Sequence, residues 1–214
     1  MDFQNVHCLL FDLDDTLYPQ DNGAWDMIRV RINRFMTEVL GFSPEVVPHL
    51  RQRLWRQYGT TLRGLQVEYT VDMDHYLTYV HDIPLEEVLQ PNLSLDNMLC
   101  SLPQRKVIFT NAIAIHAHRV INLLGISHHF SDIIDIYAMA PHCKPEREAF
   151  EKALDLIGED AHHCLLIDDS PANLATAAAF GMGTISVGNH THDVSPHIAS
   201  ILDLPALIKD HPKP

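Results

Sequence analysis

Three aspartates, Asp12, Asp14 and Asp15, stand in HCLLFDLDDTLYP immediately after an apolar run. Clustered carboxylates repel one another and are costly to desolvate, so a fold that gathers them must also supply positive charge. Other polar groups follow apolar runs in the same way: Thr110 and Asn111 after RKVIF, Lys144 after DIIDIY, and Asp168 and Asp169 after CLLI. Carboxylates with one lysine and one hydroxyl suit a hard divalent cation and a phosphoryl group. Mg²⁺ in particular prefers carboxylate and water oxygens and leaves positions for a phosphate oxygen. Two carboxylates two positions apart on an extended chain project to the same side, so Asp12 and Asp14 can face one substrate.

The elements that must position these groups are legible in the apolar pattern. VHCLLF, RKVIFT, DIIDIY and HCLLID, with GTISVG as a fifth, are apolar on successive residues, as expected of strands covered on both faces of a parallel sheet. Helical patterns alternate with the later strands. Ile113, Ala117, Val120, Ile121 and Leu124 form one stripe ended by Gly125; Phe150, Leu154 and Ile157 form another, with Pro145 in the first turn; Ser170 and Pro171 open a third. The alternation predicts a Rossmann-like doubly wound α/β core, with ligands gathered at the carboxyl ends of its strands.

The long interval between the first and second strands requires an inserted unit. Trp25, Ile28, Ile32, Phe35 and Val39 step by three and four along one helix face closed by Gly41. SPEVVPHLRQRLWRQYG, opened by Ser43 and Pro44, and VDMDHYLTYVH read as further helices. The expected division is an α/β core of residues 1–18 and 99–214 and a small helical cap domain of 19–98, with hinges near 17–22 and 98–104.

The D-x-D-x-T followed by Leu, the Thr-Asn after a strand, the Lys-Pro and the Asp-Asp-Ser-x-x-Asn resemble, in order, the four motifs of the haloacid dehalogenase-like hydrolase superfamily. The resemblance covers nearly the whole chain, and the insertion looks like the cap of subclass I. FDLDDTLYP, YGTTLRGL, RKVIFTNA and CKPEREAFEKAL are similar to the pyrimidine 5′-nucleotidase group. The resemblance implies a Mg²⁺-dependent phosphatase of small phosphomonoesters, a nucleoside 5′-monophosphatase first among them. Asp12 would be the nucleophile and Asp14 the general acid and base. Thr110 and Lys144 would bind the phosphoryl oxygens. Asp12, Asp169 and the backbone carbonyl of Asp14 would hold the metal, Asp168 acting through water, with Asn111 and Asn173 in support. Tyr58 and Thr60, with Gly59 and Arg63, would meet the leaving group.

Plainer readings compete at each position. Acidic residues at strand ends also cap helices, as do Thr110 and Asn111, and a lysine before a Pro-started helix is usually solvated. Asp15 is expected to fix its turn through side-chain to backbone bonds. The histidine pairs at 116–118, 128–129, 162–163 and 190–192 lack zinc spacing and read as solvated surface. A phosphomutase shares the same residues, and a haloacid dehalogenase lacks the need for Asp14. A receiver-like signalling module places its phosphoacceptor after a middle strand, which the order here opposes.

Composition narrows the partners. The 214 residues carry a formal net charge of −13, which disfavours nucleic acid polymers and anionic membrane surfaces. No apolar run reaches the roughly 20 residues of a membrane span. The opening segment lacks a basic n-region, and the four scattered cysteines read as free thiols, so a cytoplasmic setting is expected; the resemblance implies a small phosphorylated metabolite as partner, for a monomer or homodimer.

Overall fold

The computed structural model describes residues 5–188 and 195–209. The histidines at 190 and 192 and the DHPKP tail lie outside them. Strands β1 (Cys8–Phe11), β2 (Arg105–Phe109), β3 (Asp132–Ile134), β4 (Cys164–Asp168), β5 (Gly183–Val187) and β6 (His197–Ile198) form one sheet in the order β3-β2-β1-β4-β5-β6. Every pairing is parallel. The continuous apolar runs are explained by burial on both faces. Leu9, Phe11, Ile108, Leu165 and Ile167 pack into one cluster, while their strand neighbours Cys8, Leu10, Val107, Phe109 and Leu166 pack into the other.

Helices α6 (Ala114–Leu123), α8 (Arg147–Ile157) and α9 (Pro171–Ala179) connect successive strands. Ala117, Val120 and Ile121 of α6 join the first cluster; Phe150 of α8 and Leu174 of α9 join the second, so the sheet is doubly wound. β1 lies between β2 and β4, where the strand order reverses and a crevice opens at the carboxyl edge.

Local capping explains several differences from the sequence reading. β3 stops at Ile134 because Asp135 accepts from Ala138 N at 2.9 Å and caps the short α7 (Ile136–Met139). Helix α8 begins after Pro145, with Glu146 as its N-cap. Ser170 does hold the N-cap position of α9, with Pro171 first in the helix, but its side chain makes no capping bond. The strand β6 was not foreshadowed.

Between β1 and β2 come α1 (Ala24–Arg34), α2 (Val47–Tyr58), α3 (Thr61–Tyr69), α4 (Met73–Val80) and α5 (Leu93–Cys100). A π-helical turn at Phe35–Val39 follows α1. It advances the chain by more residues per turn, so Met36 turns inward and Val39, expected on the apolar face, is 41% exposed. Trp25 is also exposed. Helix α2 starts at Val47, with Pro48 rather than Pro44 in its first turn. Helix α3 occupies a stretch that was not read as a helix, although its Leu62, Leu65 and Tyr69 step by three and four. Helix α5 crosses position 98/99 and sides with the sheet: Asn92 N donates to Leu124 O at 3.0 Å and Asp96 meets His129 Nε2 at 2.7 Å. The chain therefore returns to the sheet before α5, upstream of the expected 98–104 hinge.

Candidate active site

Parallel pairing fixes the site's floor. Asp12 N donates to Ile167 O at 2.9 Å, extending the β1–β4 ladder by one residue, and Thr110 N reaches Ile134 O at 3.0 Å. Three strand ends thus bring Asp12, Thr110 and Asp168 to one edge, and the loop before α8 delivers Lys144. Its ammonium, 1% exposed, donates to Asp12 Oδ1 at 2.8 Å, Asp168 Oδ2 at 2.8 Å and Phe109 O at 2.7 Å. The solvated alternative for this lysine is excluded. Burial works against its charge, but the two carboxylates hold its pKa above the ordinary lysine value.

Each remaining group has a distinct setting. Asp168 is fully buried; Ser170 N donates to it at 2.8 Å and Asn173 Nδ2 reaches both its oxygens at 3.0 Å. It thereby holds the Lys144 ammonium at 2.8 Å from a side chain that is itself fixed. Asn111 pairs reciprocally with the Lys144 backbone, N to Oδ1 and Nδ2 to O, both at 2.9 Å. Its side chain therefore ties the lysine loop to the end of β2. Thr110 Oγ1 accepts from Ala112 N at 3.0 Å, leaving its hydroxyl hydrogen available. Asp169 accepts from Gln20 Nε2 at 3.2 Å.

The donor set fits a hard cation. Asp12, Asp168 and Asp169 each offer an oxygen, all within 4.8 Å of one another. Burial raises the Asp12 carboxyl well above its usual range; Lys144 opposes the rise, and Asp168 and Asp169 reinforce it. Burial and Asp168 likewise push Asp169 up to about 6. These carboxylates carry more negative charge than one lysine offsets, and a divalent cation is the natural complement.

Asp15 departs from expectation. It adopts φ of 63°, in the left-handed region that aspartate enters more readily than most residues, and its buried Oδ1 has no partner among the described residues. The turn is thus made by the backbone and not by side-chain bonds. Burial, with Asp169 and Asp14 nearby, pushes its carboxyl up to about 7.

Asp14 borders the same cavity, of about 1360 Å³, that Asp12, Thr110, Lys144 and Asp169 line. Its Oδ1 accepts from Tyr18 Oη and from His116 Nε2, the latter at 3.0 Å. Burial pushes its carboxyl up, but the His116 charge and the hydrogen bonds from His116 and Tyr18 together hold it below the ordinary value. His116, 1% exposed, corrects the reading of the histidines as solvated surface. A signal existed: position 116 falls within the stripe 113, 117, 120, 121, whose other members are all buried. The pairs elsewhere also have partners, His128 and His129 on Asp96, and His163 stacked on His7 at 4.3 Å.

The inserted helices form the cavity's other wall through Trp25, Arg29, Arg51, Trp55 and Tyr58. Tyr58 Oη accepts from Gln57 Nε2 and donates to Glu68, both at 3.1 Å. Thr60 lines the cavity too, yet its hydroxyl caps α3 through Arg63 N at 3.0 Å. Arg63 pairs with Glu146 at 2.8 Å, joining the inserted helices to the lysine loop rather than reaching a leaving group.

The site gathers acidic strand ends around a buried lysine, on a doubly wound parallel sheet with a helical insertion after its first strand. Residues 6–181 match the model of the haloacid dehalogenase-like hydrolase family, and the chain belongs to that family. Phosphate metabolism protein 8 of Saccharomyces cerevisiae is 28% identical over 190 residues, covering 82% of this chain and 59% of the yeast protein, so the chain spans about three fifths of that relative's length. Two solved structures share the fold. The HAD phosphatase of Thermococcus onnurineus has a TM-score of 0.65 at 16% identity, over 95% of this chain and 98% of its own. The magnesium-bound putative HAD-hydrolase YfnB of Bacillus subtilis has a TM-score of 0.64 at 20% identity, over 95% and 99%.

Proposed function

We propose that this hydrolase is a Mg²⁺-dependent phosphatase of small phosphomonoesters working through an aspartyl-phosphate, with a nucleoside 5′-monophosphate as substrate. The carrying observation is the buried Lys144 ammonium bound to Asp12 Oδ1 beside a second cavity carboxylate, Asp14. A dehalogenase needs only the first aspartate; two, one gripped by a cation and one by neutral or weakly basic donors, divide the labour of phosphoryl transfer. The name of the yeast relative and the phosphatase fold-neighbour support the same reading.

In the proposed reaction an Asp12 oxygen attacks phosphorus while the bond to the ester oxygen breaks, and Asp14, which must have taken up a proton before the ester reacts, gives that oxygen the proton. Water then attacks the aspartyl-phosphate, Asp14 takes the water's proton, and the Asp12–phosphorus bond breaks to release phosphate. Lys144 opposes the burial that raises the Asp12 carboxyl and, with the Thr110 hydroxyl, offers donors to the phosphoryl oxygens. Asp12, Asp169 and the Asp14 carbonyl would hold Mg²⁺, which when bound supplies positive charge to the phosphoryl oxygens, with Asp168 supporting from behind. The helices α1 to α4 inserted after β1 act as the cap, excluding bulk water over the cavity. Trp55, 55% exposed, and Tyr58 offer aromatic faces for a nucleobase, and Thr60 shapes the same wall. The setting is cytoplasmic, without nucleic acid polymer; among the described residues no helix is long and apolar enough to cross a membrane.

Phosphate release from a panel of nucleoside monophosphates, sugar phosphates and phosphoglycolate, each with Mg²⁺, tests this reading. Nucleotides should turn over fastest, and Asp12→Asn should abolish release from every ester. Retained turnover in that variant would reject the nucleophile; preference for another ester would reject the substrate class alone.

A further inference from the structure

The proposed reaction leaves unexplained why Asp14 is gripped so firmly. Tyr18 Oη and His116 Nε2 both donate to Oδ1, and among the described residues Oδ2 accepts no hydrogen bond. Asp14 keeps 15% of its side-chain surface and lines the cavity. Two donors therefore converge on one oxygen and leave the other toward the space where an ester would lie.

His116 is built for this task at the expense of its own satisfaction. With the exchangeable proton on Oδ2, or with the carboxyl ionised, Oδ1 only accepts, so the imidazole presents a hydrogen on Nε2. Among the described residues its buried Nδ1 has no partner, so packing or general hydrogen bonding does not explain the choice of histidine at this depth. Its ring lies 4.5 Å from that of His81, tilted by 37°. His81 ends α4 of the insertion and is itself held, Nδ1 to Leu77 O at 2.9 Å. Arg119 of α6 ties down the same segment, donating to His81 O at 3.2 Å and Ile83 O at 2.8 Å. The His116 ring thus stands on a braced platform where the insertion meets the sheet.

We infer that His116, with Tyr18, is a positioning residue that fixes Asp14 with Oδ2 as the oxygen that exchanges the proton. The inference rests on the phosphatase reading. As the bond from phosphorus to the ester oxygen breaks, its electron pair goes to that oxygen, which takes the hydrogen from Oδ2. In the second step water bonds to phosphorus, its hydrogen goes to Oδ2, and the pair of the breaking Asp12–phosphorus bond returns to Asp12. A loosened Asp14 harms the first step most where the leaving oxygen is strongly basic.

Single-turnover release of the leaving group, in Mg²⁺ buffer, separates this from a structural role. A nucleoside 5′-monophosphate leaves as an alkoxide that needs the proton, whereas p-nitrophenyl phosphate leaves as a stable phenolate. His116→Leu should slow the nucleotide step about 100-fold, within the range of general acid catalysis, and the p-nitrophenyl step by less than tenfold. KM for both should stay within about twofold, and His116→Gln, which keeps an N–H donor, should recover much of the loss. Tyr18→Phe, which removes only one hydroxyl, should show the same selectivity and decides the matter where His116→Leu does not fold. Equal slowing of both esters, or no slowing in either variant, overturns the inference. If wild-type protein releases phosphate from no ester, or Asp12→Asn retains turnover, the phosphatase reading falls and takes this inference with it.

Discussion

Gly59 of the inserted helices lies directly against Pro145 of the lysine loop. A Cβ built on Gly59 would overlap Pro145 Cδ and stand 3.0 Å from Lys144 O. The residue also has φ of 83°, a region costly for L side chains. Two sequence motifs that are far apart in the chain thus meet at a place where a side chain cannot fit. Gly59→Ala is expected to cost about 1–3 kcal/mol through strain alone, and to lower kcat/KM by shifting Lys144. Urea denaturation alongside steady-state kinetics checks both; a variant as stable and active as wild type would mean that this contact is not maintained in solution.

Lys144 neutralises two carboxylates at once, so removing it should damage more than catalysis. Lys144→Met leaves Asp12 and Asp168 buried without a counter-charge, and breaking a buried pair in this way costs about 3–5 kcal/mol. Asp12→Asn on the Lys144→Met background should restore part of that stability while both variants remain inactive. The interaction energy from a double-mutant cycle in denaturant is the measurement; strictly additive effects would show that the pair is not coupled.

The core of the site was legible because each of its residues ends an apolar run, and a parallel sheet converts that one-dimensional regularity into a shared edge. Asp12, Thr110 and Asp168 needed only strand order to meet. What periodicity does not encode is which polar group a helix turns inward. His116 sits on an apolar stripe, but its type argued for solvent, and only the proximity of Asp14 and His81 explains its burial. Asn111 was placed correctly in the loop, yet its reciprocal bonds to the Lys144 backbone depend on a loop whose path no spacing dictates. The inserted helices were the least legible, since the π-turn at Phe35–Val39 rotates the apolar face and the α3 stretch advertises its Thr60 cap more weakly than its turn residues.

His81 gives stability a pH dependence whose sign is fixed. Burial, with the neighbouring His116 charge, pushes its imidazole down to about 3 from 6.5, against an opposing pull from Asp14; Arg119 also acts to lower it. The folded protein keeps His81 neutral, whereas the unfolded chain protonates it below about 6.5. The stabilisation is therefore complete above pH 6.5 and is lost progressively as pH falls toward 3. Between pH 6.5 and 5 the loss should be about 2 kcal/mol. His81→Phe, which keeps a ring and cannot titrate, should flatten that part of the profile relative to wild type, other groups being common to both. Parallel slopes for the two proteins in urea titrations would assign the acid sensitivity elsewhere.

Asp169 links the cation to stability in a way that can be read without turnover. Lys144 bonds Asp12 and Asp168 but not Asp169, whose side-chain partner is the neutral Gln20. Three carboxylates within 4.8 Å against one ammonium leave an excess of two negative charges, which a divalent ion matches. Mg²⁺ at about a hundred times its Kd should stabilise the folded state by about 2.7 kcal/mol, raising Tm by roughly 5–10 °C for a chain of this size, and chelator should reverse the rise. Asp169→Asn should be more stable than wild type without Mg²⁺, because one repelling charge is gone, and should lose most of the Mg²⁺-induced shift. The histidine and carboxylate groups on the surface do not compete for this ion, since imidazole suits softer metals. A Tm rise of the same size in Asp169→Asn would place the ion away from these strand ends.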